Sequence, residues 1–433
     1  VASLQLELEF LAAATGEAKY ATMGRRAMAA LLAAEPLADS LYPMYISPDT
    51  GGYLSTVITL GARGDSLYEY LLKQYLLAGG LRAAAASARS ATPDAAGAEH
   101  AAALGGNPAL LSAGTPVGAY APPPASPARG AWRAAGAVAS AELARAEAGG
   151  NDAASGAPYI CTDVLAGPCD AGSAAACIAA PDLCPAFPWY LGAAPGGSDD
   201  ATPSSLATER AWFTAVYGAY LRSAAGIEAH LLRHSKPSGR AYIAERTAPG
   251  AWDDKMDHLV CFLPGVLALS SLTAPTRALR DRHLRLATDL MATCIHMYDA
   301  TATGLAAEIT RFPAGGDPVP DPGAKHNLLR PETVESLMVL YRVTGDATYR
   351  DAGWRIFNAF RKWSAVSTGG FSTLNDVTSA APEQTNNQES FWLAETLKYL
   401  YLLFSASDVI PLDAYVFNTE AHPLPVFDAV PHL

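Results

Sequence analysis

Charge is scarce in this chain. Of its 433 residues only 17% are charged, and 30 lysines and arginines face 42 aspartates and glutamates, for a formal net charge of -12. That balance does not suit nucleic acid, whose phosphates call for a basic face. Long apolar runs are also missing. The longest candidate, residues 258–272, carries Pro264 and Gly265 and falls short of the roughly 18 residues of a membrane span. No charged-then-apolar leader opens the chain, which enters helical pattern at once, so a segment preceding Val1 is expected. Nucleophile elbow, P-loop, dinucleotide fingerprint and His-rich metal motif are all absent. What remains open is carboxylate chemistry on a neutral substrate, with or without a bound cation.

Apolar residues make up 50% of the chain, enough for a sizeable core, and their spacing is mostly helical. The periodicity predicts helices over 3–14, 18–33, 65–77, 208–234, 262–272, 275–297, 331–343, 347–364 and 389–404. Thr15-Gly16-Glu17 and Thr344-Gly345-Asp346 separate helix pairs, the glycine closing one helix and the acid capping the next. This beat predicts an all-α array of helical hairpins. Residues 42–47 and 53–59 alternate around Pro48-Asp49-Thr50-Gly51-Gly52, a β-hairpin signal, and 240–246 reads as a short strand.

Between residues 83 and 206 the texture changes to Ala, Gly, Pro and Ser without sustained periodicity, which predicts a partly disordered insertion dividing 1–82 from 207–433. Cys161, Cys169, Cys177 and Cys184 lie in it at gaps that match no common zinc pattern. Local disulfides in an oxidising compartment are expected, with their pairing open among three arrangements.

Polar residues collect at element ends. Leu329-Arg330-Pro331-Glu332-Thr333-Val334-Glu335-Ser336 starts a helix, with Pro331 suited to the first helical position and Glu332 at the positive end of the dipole. Glu335 shares a helix face with Glu332. Taken alone, ordinary helix-start charge accounts for the segment. Asp65 or Ser66 reads alone as an N-cap, with Arg63 beside it able to orient a carboxylate. His258 before an apolar run reads alone as a structural hydrogen-bond partner. Glu395, inside an apolar helix, should be paired or functional, because burying a lone carboxylate is costly. Thr419 and Glu420, after a predicted strand, offer oxygens to a hard cation. Carboxylates with Arg and His nearby fit glycoside hydrolysis, which needs a pair of them.

Five stretches in order carry a family resemblance. They are Ile58-Thr59-Leu60-Gly61-Ala62-Arg63-Gly64-Asp65-Ser66 with Tyr68-Glu69-Tyr70-Leu71-Leu72-Lys73-Gln74, then residues 256–265, 327–336, 389–403 and 415–423. Together they resemble glycoside hydrolase family 47, the class I α-1,2-mannosidases that trim high-mannose N-glycans. The resemblance implies an (α/α)7 barrel with calcium in its floor and a β-hairpin plugging one end. It implies that Glu332 is the base for the attacking water, that Asp65 and Glu308 are further essential acids, and that Thr419 binds Ca2+ through its hydroxyl and carbonyl. Glu7, Arg63, His258, Arg330, Glu335, Phe391, Glu395 and Glu420 match residues lining the sugar or holding calcium-bound waters. Cys261 and Cys294 match a family disulfide. The implied reaction is inverting. The implied setting is the lumen of the endoplasmic reticulum or Golgi, for a monomer held by an anchor this chain lacks.

Three departures stand out, the first being the 83–206 insertion, for which the family core has nothing comparable. The acid-bearing Asn-Leu-Phe-Glu-Ser-like run of the family has no counterpart, so mannose release by this chain alone is expected to be weak. Ala307 replaces the usual proline before Glu308. The alternative reading is a glycan-binding quality-control relative that recognises mannose without trimming it; a third is another αα-barrel glycosidase.

Overall fold

A computed structural model of the chain describes residues 3–34, 40–84 and 206–427. The cysteine cluster and nearly all of the segment 83–206 lie outside those residues. The described helices are α1 (Gln5–Thr15), α2 (Lys19–Ala33), α3 (Asp65–Leu77), α4 (Leu206–His230), α5 (Leu263–Thr273), α6 (Arg277–Asp299), α7 (Glu332–Thr344), α8 (Thr348–Trp363) and α9 (Leu397–Phe404). Among the described residues, no helix is long and apolar enough to cross a membrane.

Sequence composition sorts these helices into two layers. Every residue of α5 is buried, as are ten residues of α3 and nine of α7. Helices hydrophobic all round belong inside, and amphipathic ones outside. On α8, Ile356 and Phe360 face inward while Trp354 is half exposed. The hairpins α3–α4, α5–α6 and α7–α8 pack within themselves, and α3, α5, α7 and α9 pack side by side in that order. An inner ring whose members are joined by outer returns is an α/α barrel. Because each outer helix brings the chain back, the inner helices run the same way and their N-termini share one end.

The Thr-Gly-acid turns have the expected chemistry. Gly16 and Gly345 end α1 and α7 at φ 76° and 74°, a conformation that costs a glycine nothing. Thr15 and Thr344 each donate to the carbonyl four residues back and accept the N–H two residues on. Asp346 then accepts the Thr348 N–H at 2.9 Å. No such bond forms from Glu17 to the start of α2, so only one of the two acids caps as expected.

Strands are short. They are β1 (Leu232–His234), β2 (Ala241–Ile243), β3 (Glu245–Ala248), β4 (Ala251–Asp253), β5 (Lys255–Asp257), β6 (Ile309–Arg311), β7 (Val319–Pro320), β8 (Tyr415–Phe417) and β9 (Pro423–Pro425). All pairings are antiparallel, in the order β1-β2, β3-β4, β5-β6-β7 and β8-β9.

Three expectations are corrected. The helix over 208–234 ends at His230, because the Ser235–Gly239 turn, with Ser235 Oγ accepting the Arg240 N–H, folds 232–234 back onto β2. The hairpin over 42–59 keeps its turn but only one bridge, Ile46 to Tyr53. The Met44 N–H still donates to the Val57 carbonyl at 2.9 Å, and the next residue of the second arm, Ile58, pairs with Arg246 of β3. The helix over 389–404 is widened into a π turn at Trp392–Thr396 before α9 begins.

Candidate active site

The acidic residues singled out in the sequence gather at the N-terminal entries of the inner helices. Asp65 is the first residue of α3, Glu332 the first of α7, and His258 opens the 3-10 turn His258–Phe262 that leads into α5. Glu395 lies in the π turn that leads into α9. Such turns recur at functional sites because they re-aim side chains. Pro331 is corrected from the first helical position to the N-cap, which leaves Glu332 nearest the positive end of the α7 dipole.

Strand pairing sets the next contacts. β5 lies against β6, and the His258 N–H donates to the Glu308 carbonyl at 2.8 Å. The Glu308 carboxylate accepts the Leu328 N–H at 3.2 Å and forms an ion pair with Arg330. Arg330 also stands 3.8 Å from Glu332 and 5.7 Å from the centre of the Phe391 ring. His258 is 1% exposed, with Nδ1 2.9 Å from Glu332 Oε2 and Nε2 2.7 Å from the Tyr298 hydroxyl. Thr333 Oγ1 approaches the same Nε2 at 3.0 Å. His258 therefore stands behind Glu332, engaged on both ring nitrogens.

Electrostatics separates the acids. Burial pushes the Glu332 carboxyl up, but the hydrogen bond and charge of His258 and the charge of Arg330 outweigh it and hold the group below its ordinary value. Asp65 goes the other way. Burial, with the Glu69 and Glu332 charges, pushes it up to about 6 against the pull of the Ser66 N–H. Two carboxyls at one mouth whose affinities for a proton are driven apart are what acid and base roles require.

A second layer lies one turn deeper. Glu335 accepts from the Tyr399 hydroxyl at 3.2 Å and stands 3.5 Å from Lys73, which is ion-paired with Glu69. Burial pushes Glu335 up; Glu69 and Glu332 add to this and Lys73 only partly opposes it. Burial and the charges of Glu335, Glu332, Glu420 and Glu69 push Glu395 up to about 8.

Beside this layer, Glu7 on α1 accepts from the Tyr70 hydroxyl at 2.9 Å and from Asn418 Nδ2 at 2.8 Å. Its Oε2 is buried with no hydrogen-bond partner among the described residues. Tyr70 in turn accepts the Thr419 N–H at 3.3 Å. Among the described residues, no group of three His, Cys, Asp or Glu side chains is arranged as a metal cage. The donors fit a hard cation all the same. Crowded carboxylates that hold protons for want of counter-charge, an orphan carboxylate oxygen and the exposed Thr419 suit an oxygen-coordinated ion that keeps several waters.

Among the described residues six non-glycine residues adopt left-handed backbone, and three of them adjoin a site segment: Arg63 (φ 74°) before Asp65, Leu329 (φ 65°) before Arg330, and Ala421 (φ 57°) after Glu420. Such conformations are uncommon outside glycine, Asn and Asp and cluster at functional sites.

The profile of Glycosyl hydrolase family 47 matches residues 1–94 and 205–426. The chain belongs to glycosyl hydrolase family 47. Within that family, a mannosyl-oligosaccharide 1,2-alpha-mannosidase of Arabidopsis thaliana is 33% identical over 455 residues, covering 98% of this chain and 52% of that protein. The endoplasmic reticulum mannosyl-oligosaccharide 1,2-alpha-mannosidase of Homo sapiens is 49% identical over 215 residues, 48% of this chain and 30% of its own length. The chain thus spans about half or less of the curated relatives it matches. The alpha-1,2-mannosidase from Trichoderma reesei superposes with a TM-score of 0.59 at 19% identity, over 98% of this chain and 64% of that one, which shows the α/α-barrel fold.

Of the family-47 site residues expected from sequence, Glu332, His258, Arg330, Glu308 and Phe391 form one contact group. Asp65, Glu335, Glu395 and Glu420 join it through their charges. Glu7 and Thr419 meet through Tyr70. Arg63 stays at the rim, where it donates to the Tyr45 hydroxyl and lies 5.9 Å from that ring's centre. Cys261 and Cys294 form the implied disulfide, with Cα atoms 5.9 Å apart. Sequence reasoning missed Glu69, Lys73, Tyr298 and Asn418 as site residues. A Glu and a Lys four apart inside the apolar run of α3 were the available signal for the first two.

Proposed function

We propose that this chain carries out calcium-dependent, inverting hydrolysis of terminal α-1,2-linked mannose from high-mannose N-glycans in the secretory pathway. The observation that carries the reading is the divergence of Glu332 and Asp65, one held below and one above the ordinary carboxyl range at the same barrel end. Glu332 takes a proton from water as the water oxygen bonds to the anomeric carbon. The glycosidic bond breaks on the opposite face, and its oxygen receives the proton from Asp65, directly or through water. His258 and Arg330 keep Glu332 ionised, and the Arg330–Glu308 pair holds the loop before α7 in place. Thr419, with the carboxylates of Glu7, Glu335, Glu395 and Glu420 acting through water, would hold Ca2+. The bound ion supplies ligation of sugar hydroxyls and favours a distorted ring. A neutral glycan needs no basic groove, in keeping with the net charge of -12.

The test is release of mannose from a high-mannose glycan, followed by proton NMR so that the first anomer formed is seen. Weak release of β-mannose that stops with chelator and in Glu332→Gln is expected. Release of α-mannose first, or full activity in Glu332→Gln, overturns the mechanism. Calcium-dependent glycan binding without release assigns the chain to the glycan-binding alternative.

A further inference from the structure

The turn after β8 is organised by one side chain. Asn418 is 7% exposed. Its Oδ1 accepts the N–H groups of Glu420 at 3.0 Å and His422 at 2.8 Å, while its Nδ2 donates to Glu7 Oε1 at 2.8 Å. Its backbone closes the same turn, donating to the His422 carbonyl and accepting the Ala421 N–H, both at 3.0 Å. Thr419 sits inside that frame with its N–H on Tyr70, and among the described residues neither its hydroxyl nor its carbonyl has a hydrogen-bond partner. Protein groups thus satisfy the donors of the turn and leave free the two Thr419 oxygens that a hard cation would use.

We propose that Asn418 is the positioning residue of the cation site: it joins Glu7 on α1 to the Thr419 turn at the other end of the chain, so that the site is shaped before any ion arrives. The proposal rests on the reading of Thr419 as a calcium ligand. The choice of Asn follows from its two-sided chemistry. Its amide oxygen serves two backbone donors while its NH2 serves a carboxylate. Aspartate can do only the first of these, and alanine neither.

The experiment is a calcium titration of the intact chain by calorimetry, repeated with terbium, whose luminescence reports a nearby Tyr70. Melting of the chelated chain is followed in parallel. Asn418→Ala is expected to weaken calcium binding by about 10–100-fold, the range seen when an outer partner of a metal ligand is removed. Asn418→Asp keeps both N–H acceptances but sets a carboxylate against Glu7, so it is expected to recover only part of that loss. A purely structural role would lower the chelated melting temperature of both variants and leave affinity unchanged. Wild-type affinity in Asn418→Ala, or a loss in Asn418→Asp as deep as that of Asn418→Ala, overturns the proposal while the cation site stands. No calcium binding by the wild-type chain overturns the reading of Thr419 itself. If Asn418→Ala does not fold, Asn418→Ser takes its place; its hydroxyl serves one N–H, an intermediate loss is expected, and wild-type affinity overturns the proposal.

Discussion

His258 Nδ1 lies 2.9 Å from Glu332 Oε2, and the other ring nitrogen lies 2.7 Å from the Tyr298 hydroxyl. Burial keeps the Tyr298 hydroxyl protonated, and this pair of contacts fixes the ring against the carboxylate. Glu332→Gln should cost about 10²–10⁴-fold in turnover, the usual worth of a positioned base. His258→Ala should act more subtly. It removes the group that offsets the burial of Glu332, so Glu332 protonates more readily and the acidic limb of the pH–rate profile moves up. An unmoved limb in His258→Ala would remove the histidine from the mechanism.

The helix that starts at Glu332 was legible because proline, acid and apolar period coincide there, and the Thr-Gly-acid turns because glycine and threonine have few other uses in that order. The partners were not. His258 and Glu332 are 74 residues apart, and no local preference encodes their meeting. The π turn at Trp392–Thr396 has the same apolar texture as the α-helix after it. Its surroundings are tertiary: Thr396 Oγ1 donates to the carbonyl of Leu329, which is itself left-handed. Leu at positive φ is a choice propensity argues against, so the bend that presents Arg330 could not be read from sequence. Lys73 and Glu69 could be seen as charges in an apolar run, but not as a fully enclosed pair.

Asp65 makes a prediction about stability. Its carboxyl rises from 3.8 to about 6 on folding, so the folded state holds the proton more tightly than the unfolded one. Its contribution is fully present below pH 3.8 and is lost as pH rises through 6. The shift of about two units corresponds to about 3 kcal/mol. Asp65→Asn should therefore gain on the parent as pH rises from 4 to 7, by roughly that amount, in urea unfolding with chelator present. A gain independent of pH would place the origin of the effect elsewhere.

Lys73 is enclosed with two carboxylates, its side chain 3% exposed and those of Glu69 and Glu335 at 6% and 14%. Lys73→Met strands both charges, and breaking such a buried pair costs about 3–5 kcal/mol. Adding Glu335→Gln to Lys73→Met removes one stranded charge and should recover part of that loss, a coupling visible in a double-mutant cycle. Additive losses would mean that the three groups do not act together.

Calcium binding should release protons. Without an ion, Glu395 is pushed up to about 8 by burial and by the charges of Glu335, Glu332, Glu420 and Glu69, and Glu335 is raised as well. At pH 7 Glu395 is therefore largely protonated. A divalent ion replaces proton with metal as the counter-charge, so binding expels the proton. Two measurements follow from the same sign. Affinity should strengthen between pH 6 and 8 and level off above pH 9, where no proton remains to be displaced. The calorimetric enthalpy at pH 7 should vary linearly with the ionisation enthalpy of the buffer, its slope giving the number of protons leaving. Glu395→Gln should reduce that slope by most of one proton, because the glutamine has nothing to release. A buffer-independent enthalpy at pH 7 would mean that the ion does not engage this group of carboxylates, and the cation would then belong elsewhere in the barrel.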